Sequence, residues 1–420
     1  MNSGSEIVWK GSFRVWLATL GPTAVLASIA MGPGTIGSNL AVGSKLGYDL
    51  AWLVVLATVM SVANLYAVGK MSAVTGLSLL EQFAAFFHPA VSWVIGGLML
   101  LTLLLIVPFT GVTLGHTLNL LIPSLPPFLG MTICTALIVY VYIFGGGFRF
   151  VSLLCTVLVA LMCAAFLANA LVVGPDLAGL ARGVFVPTLP QGYESTLLAV
   201  GIIGGSVSIV GSLFQGYSVR NARWSVRQVP AMAWDVFVFT GLLFLVFSLS
   251  ILVSGVALAG KPVHDAAQAA AALEPVAGPA ARWIFATGYF IATFTTLAAA
   301  SYLGGYIAHD FFKWPLRGEL HADLRFRLVC AGLLTTVFLA PLFAPLFPPI
   351  YLIIFGTALF AIGTPPVLLL VLILGRRKSV YGVYRLGTAL TAVLGVSLLV
   401  SAYSAYLLIA RVLGQFQAIG

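Results

Sequence analysis

Apolar runs long enough to cross a bilayer recur from one end of this chain to the other, with only short polar stretches between them. A membrane-spanning helix needs about 20 predominantly apolar residues. The pattern predicts eleven such helices, over 15–42, 50–69, 91–121, 130–147, 151–173, 195–217, 232–258, 280–308, 326–347, 350–374 and 387–412. Two of them are interrupted. The first, apolar from Val15 to Met31, stops at Gly32-Pro33-Gly34-Thr35 and resumes from Ile36 to Val42. The sixth is broken at Gly204-Gly205-Ser206 and again at Gly211-Ser212, with Ser208 between them. Pro33 removes a backbone donor and disfavours helix continuation. In lipid, backbone groups freed in this way are tolerated only where they are buried in protein or line a cavity. Interruptions at corresponding places in two halves of a membrane protein point to a transporter's substrate site.

The interrupted spans are numbers one and six, so an odd number of spans separates the starts of the two halves and the halves run in opposite directions. This predicts an all-α integral membrane protein built as a five-plus-five inverted repeat, with discontinuous helices one and six and an added eleventh helix. The expected organisation is an N-terminal tail over 1–14, a first repeat over 15–190 and a second over 191–376. Helix eleven and the C-terminus follow over 377–420, and all of it forms one membrane domain. The stretches 174–194 and 259–279, rich in Pro, Gly and Ala, read as surface connections.

Composition agrees with the span count. Of 420 residues, 61% are hydrophobic and 7% charged, against about 25% charged in soluble domains, which excludes a soluble protein. The net charge of +9 reads as topology and not as a nucleic-acid footprint. With the N-terminus in the cytoplasm, the inner loops receive Lys10, Arg14, Lys70, Arg149, Arg220, Arg223, Arg227, Lys313, Arg317, Arg325, Arg327, Arg376, Arg377, Lys378 and Arg385. The outer ones receive only Lys45, Arg182, Lys261, Arg282 and Arg411. This bias predicts a cytoplasmic N-terminus and an extracytoplasmic C-terminus, in a bacterial inner membrane. Lys10 and Arg14 precede an apolar run as in a signal peptide, but the run leads straight into further spans, which makes it the first transmembrane helix. Cys134, Cys155, Cys163 and Cys330 sit in apolar runs without metal-ligand spacing and read as small hydrophobes.

The ionisable residues narrow the chemistry. By these spans all eleven acids fall in loops or at helix ends. Asp235, just after Arg220, Arg223 and Arg227, is expected to make an ion pair at the inner surface. Met31 is the only soft metal ligand beside the first break. His116, the one histidine well inside a span, reads either as a proton carrier or as a neutral group bonded to a neighbouring helix. Gln215 is polar at membrane depth, as a substrate contact or an interhelical hydrogen bond. The glycines and serines of the second break also match a close-packing face.

The run Gly21-Pro22, Met31-Gly32-Pro33-Gly34-Thr35 and Gly43-Ser44-Lys45-Leu46-Gly47-Tyr48 resembles the first helix of NRAMP-type divalent-metal transporters. Similar too are Pro187-Thr188-Leu189-Pro190 with Gly201-Ile202-Ile203-Gly204, Thr75-Gly76, Asp265-Ala266-Ala267-Gln268 and Arg376-Arg377-Lys378. The resemblance covers about 15–410 and implies a LeuT-like fold with alternating access. The functional residues of the family do not carry over. Where typical members have Asp-Pro-Gly-Asn, this chain has Gly32 and Thr35 at the aspartate and asparagine positions. Where they have Met-Pro-His-Asn, it reads Ser208-Ile209-Val210-Gly211. The following histidine aligns with Gln215, third-helix acids fall near Val107 and Thr110, and the tenth-helix glutamine falls near Thr357. The resemblance therefore implies no metal site by the family motif.

These observations predict a secondary transporter and not an enzyme, with no cofactor and coupling to H+ or Na+. The predicted substrate contacts are Met31, Gly32, Pro33, Gly34, Thr35, Gly204, Gly205, Ser206, Ser208, Gly211, Ser212, Gln215 and Thr357, with His116 for the proton. An uncharged site at half-helix N-termini suits a small polar or anionic organic solute. The alternative is a divalent cation (Mn, Fe or Mg) held by carbonyls, Thr35, Ser208, Met31 and water, as the resemblance implies. A non-transporting sensor or scaffold is the third reading. The expected partners are the solute or ion and the lipid bilayer, with no nucleic acid; the sequence sets no oligomeric state.

Overall fold

A computed structural model of the chain describes residues 22–144, 148–188, 192–207, 209–260, 266–314, 320, 323–340 and 349–417. Among these, helices occupy every predicted stretch. Span one is two half-helices, 1a (Pro22–Ala30) and 1b (Pro33–Leu46), bent by 49° at the break. Spans two to five are Ala51–Thr75, Pro89–Leu121, Pro127–Phe144 and Phe148–Val173. Span six consists of 6a (Tyr193–Ser206) and 6b (Ile209–Asn221). Span seven runs from Val229–Val236 through a π turn, Phe237–Leu243, into Phe244–Val256. Span eight is Pro279–Phe311, span nine Leu324–Thr335 continuing as a 3-10 turn, span ten Pro349–Gly375 and span eleven Thr388–Gln417. Among the described residues, seven helices have the length and apolarity to cross a membrane alone, and the bent pair of span one makes an eighth.

Large apolar side chains such as Leu104, Leu137, Leu153, Leu171 and Leu399 are exposed on the flanks of these helices, the arrangement a hydrocarbon solvent selects. Inside, span eight packs against three and five, and 1b lies along span seven. At that second crossing the two backbones touch. A Cβ at Gly43 would sit 2.2 Å from the Leu252 carbonyl oxygen, and one at Gly255 would sit 2.5 Å from that of Leu40. Glycine on both sides allows this approach.

Two differences from the sequence expectation concern the loops. The connections at 174–194 and 259–279 each contain a helix, Leu177–Phe185 and Ala266–Ala277. In the first, the Asp176 carboxylate accepts the Ala178 and Gly179 N–H groups and so caps the helix. A further short helix, Leu79–Phe86, follows span two behind a capping box formed by Ser78 and Glu81.

Candidate functional site

The first break is held open by its own side chains. Helix 1a ends with the Met31 N–H on the Ala27 carbonyl, and Gly32 turns the chain before Pro33 starts 1b. Thr35, in the first turn of 1b, donates its hydroxyl back to the Ala30 carbonyl at 2.6 Å. One carbonyl freed by the break is thus satisfied across it. Span eight closes the other side, where Thr296 Oγ1 donates to the Ser28 carbonyl at 2.9 Å. A side chain at Gly32 would begin 2.7 Å from Thr296 Oγ1 and 2.9 Å from the Ile29 carbonyl oxygen, so the threonine occupies the space a larger residue needs.

The second break is narrower than the sequence suggests. Helix 6a ends at Ser206 and 6b begins at Ile209, while Gly211 and Ser212 lie inside the first turn of 6b. Ser208 lies outside the described residues. Together the two halves have the length and apolarity of a membrane span over Leu198–Asn221. Two neighbouring helices satisfy the freed groups. Ser61 of span two donates to the Ser206 carbonyl, and Thr364 of span ten accepts the Ile209 N–H at 3.0 Å. The span-ten residue expected here is Thr357, whose side chain lies outside the description; Thr364 is the one in contact. Replacing Thr364 with valine is expected to cost about 1 kcal/mol of stability, the worth of one buried hydrogen bond. Thermal unfolding checks this, and serine at 364 should behave as the parent.

The two breaks meet. A Cβ on Gly205 would lie 3.3 Å from Thr35 Oγ1, and one on Gly201 3.2 Å from Ser38 Oγ. Met31, Thr35, Gly204 and Ser212 are buried there, with Asn64 of span two donating to Ser212 Oγ at 2.7 Å. Met31 is in turn beside span five, where Cys163 Sγ is 3.9 Å from Met31 Sδ and 3.6 Å from the Leu243 carbonyl oxygen at the end of the π turn. Such turns leave backbone groups unpaired and recur at functional sites. Cys163, expected to be packing alone, is therefore at the break. Its position depends on how span five docks, which nothing in its own sequence neighbourhood signals. No three His, Cys, Asp or Glu side chains come together among the described residues.

Gln215 and His116 are away from this junction. Gln215 is fully buried on 6b, nearly two turns beyond the break, and its Oε1 accepts from Thr23 Oγ1 at 3.4 Å. His116 is on the exposed flank of span three, while Thr117 beside it is buried.

Asp235, expected in an ion pair, bonds the backbone of half-helix 1a. It is fully buried within span seven, and its Oδ2 accepts the Thr23 N–H at the foot of 1a at 2.8 Å. Arg220, at the C-terminal end of 6b, bonds two carboxylates: its Nη1 is 2.7 Å from Glu81 Oε2 and 3.3 Å from Asp310 Oδ1. Ser78 donates to Asp310 Oδ2, and His309 Nδ1 lies 3.5 Å from Oδ1. This cluster ties 6b, the Leu79–Phe86 helix and the end of span eight. Beside it, Tyr381 donates to Gln82 Oε1 at 2.7 Å, and Arg377 donates to the Phe86 carbonyl at 2.7 Å. Burial pushes the Tyr381 phenol up from its ordinary range, so it remains a donor at neutral pH.

Two broken helices meeting inside an inverted repeat agree with known transporters. The chain is 17% identical to a manganese transporter of Eremococcus coleocola, with a TM-score of 0.76 over 99% of this chain and 89% of that one. It also shares the fold of MhsT, solved with L-phenylalanine, at a TM-score of 0.62 and 14% identity over 91% of this chain and 98% of that one. In sequence it is 26% identical to the divalent metal cation transporter MntH of Pectobacterium carotovorum, covering 74% of this chain and 76% of that protein. The corresponding protein of Klebsiella pneumoniae is 24% identical over 73% and 75%. The model of the Nramp family, natural resistance-associated macrophage protein-like, matches residues 23–411. The chain is a membrane transporter with the LeuT-like fold and belongs to the Nramp family.

Proposed function

We propose that this transporter carries a divalent transition-metal cation by alternating access, through a site rebuilt around sulfur and backbone oxygen. The observation that carries the reading is the pair Met31 Sδ and Cys163 Sγ, 3.9 Å apart at the first break and beside the Leu243 carbonyl. Thioether and thiolate are soft ligands and select transition metals over magnesium. The relatives that match over most of their length are named as divalent metal cation transporters, which supports a metal over the organic solute that the uncharged break alone suggests. Thr35 Oγ1, the Ala30 carbonyl and water supply further oxygen ligands once Thr35 swings off its bond across the break.

The experiment is thermal stabilisation of the purified protein, followed by uptake into liposomes. Manganese or cadmium at micromolar levels is expected to stabilise the parent and to be taken up. Met31→Ala and Cys163→Ala should each weaken binding about 10- to 100-fold while the apo melting point changes far less. Stabilisation by small carboxylic acids with no response to metals would overturn the proposal in favour of an organic anion. Metal binding without uptake would point to a sensor. The same liposomes, with N- and C-terminal labels, test the expected orientation.

A further inference from the structure

A helix N-terminus carries backbone N–H groups without intrahelical acceptors and a partial positive charge. At the foot of 1a that charge meets a buried carboxylate, with Asp235 Oδ2 accepting the Thr23 N–H at 2.8 Å. Thr23 also reaches across to 6b, its hydroxyl donating to Gln215 Oε1 at 3.4 Å. Gln215 Nε2 is buried there with no hydrogen-bond partner among the described residues. A single residue of 1a thus joins span seven to 6b, and span seven is the helix welded to 1b at Gly43 and Gly255. The carboxylate stands between the half-helix that hinges at Gly32 and a helix fixed to the other half.

We infer that Asp235 is a proton-sensitive clamp on half-helix 1a and takes the coupling role that the sequence suggested for His116. Ionised, it holds the Thr23 N–H by a charge-assisted bond; one proton added to the carboxylate removes the charge and leaves a bond about half as strong. Protonation therefore frees 1a to swing, and loss of the proton to solvent accompanies its redocking. An intramembrane carboxylate is a functional group by default. Among the described residues, the elements packed against Val229–Val236 carry few titratable or charged groups. They are Tyr66 and Lys70 on span two and Arg227 on the 3-10 turn Val226–Gln228; half-helix 1a and the π turn carry none. Lys70 Nζ points to the Arg385 carbonyl at 3.5 Å. On 6b, which packs against 1a, Tyr217 lies under the Arg220 guanidinium, and Arg220 is bound to Glu81 and Asp310.

The test is amide exchange of 22–30 in the full-length parent in nanodiscs at acidic and neutral pH, corrected for intrinsic exchange, together with pH profiles of uptake. Protection of 22–30 is expected to fall about tenfold on acidification, as the charge-assisted bond is lost. Asp235→Asn should show the low protection at both pH values and a flattened uptake profile, and Asp235→Glu should restore part of the slope. Parent protection that does not change with pH would overturn the inference, as would a parental pH profile in Asp235→Asn. If that variant does not fold, exchange in the parent decides. Metal binding at Met31 and Cys163 is read separately by stabilisation, so failure here leaves the substrate reading standing.

Discussion

Alanine at Gly43 is expected to leave little folded protein, whereas alanine at Gly37, one helix face away, should express as the parent. Gly37 is exposed, with open space where a Cβ would go. At Gly43 the added carbon would meet backbone: the Leu252 carbonyl oxygen at 2.2 Å and the Val256 nitrogen at 2.8 Å. No rotamer change relieves a clash with main chain, so 1b and span seven must separate along their whole contact. Overpacking costs typically about 1–3 kcal/mol and sometimes more, and separating two closely packed helices puts this site at the upper end. Gly255→Ala should behave alike, since its Cβ would lie 2.5 Å from the Leu40 carbonyl oxygen. One separation accommodates both methyls, so the double variant should lose less than the sum of the singles. A Gly43→Ala melting curve superimposable on the parent would contradict the crossing.

Methionine at Arg220 is the second large effect. Its guanidinium bonds Glu81 at 2.7 Å and Asp310 at 3.3 Å, and the Asp310 side chain is 2% exposed. Removing one partner of a buried pair costs about 3–5 kcal/mol, because the other charge stays in a poor solvent. Most of that loss should come from Asp310, because Glu81 is 32% exposed and water screens it. Asp310→Asn in the Arg220→Met background is therefore expected to recover stability, while Glu81→Gln should recover little. Lysine at 220 should substitute in part, since both carboxylates bond the one nitrogen Nη1 and an ammonium carries three donors on a single nitrogen. Thermal unfolding of the five proteins decides; equal rescue by both second-site changes would show that Glu81 is as dehydrated as Asp310.

The sequence made the helices legible because lipid imposes a length and an apolarity on every span. Gly32-Pro33 marked the first break, since proline and glycine act through their own backbone. What it did not show are contacts made by neutral residues from distant helices. Ser61, Thr364 and Thr296 are small polar residues in apolar runs, and nothing in their local pattern says that each satisfies a freed backbone group of another span. Cys163 was hidden for the same reason. The bond of Asp235 to Thr23 was not legible either, because the neighbouring arginines supply an obvious local partner; the fold brings the carboxylate to the Thr23 N–H and gives Arg220 to a cluster assembled from three elements.

The Thr35 hydroxyl on the Ala30 carbonyl has a consequence for the timing of transport. A ligand that draws Thr35 toward itself unties the two halves of span one in the same event, so occupancy is sensed by the hinge before any helix has moved. An empty site keeps the tie, and the empty carrier then has its own, slower route between its two faces. Exchange of bound substrate across the membrane should accordingly outpace net uptake.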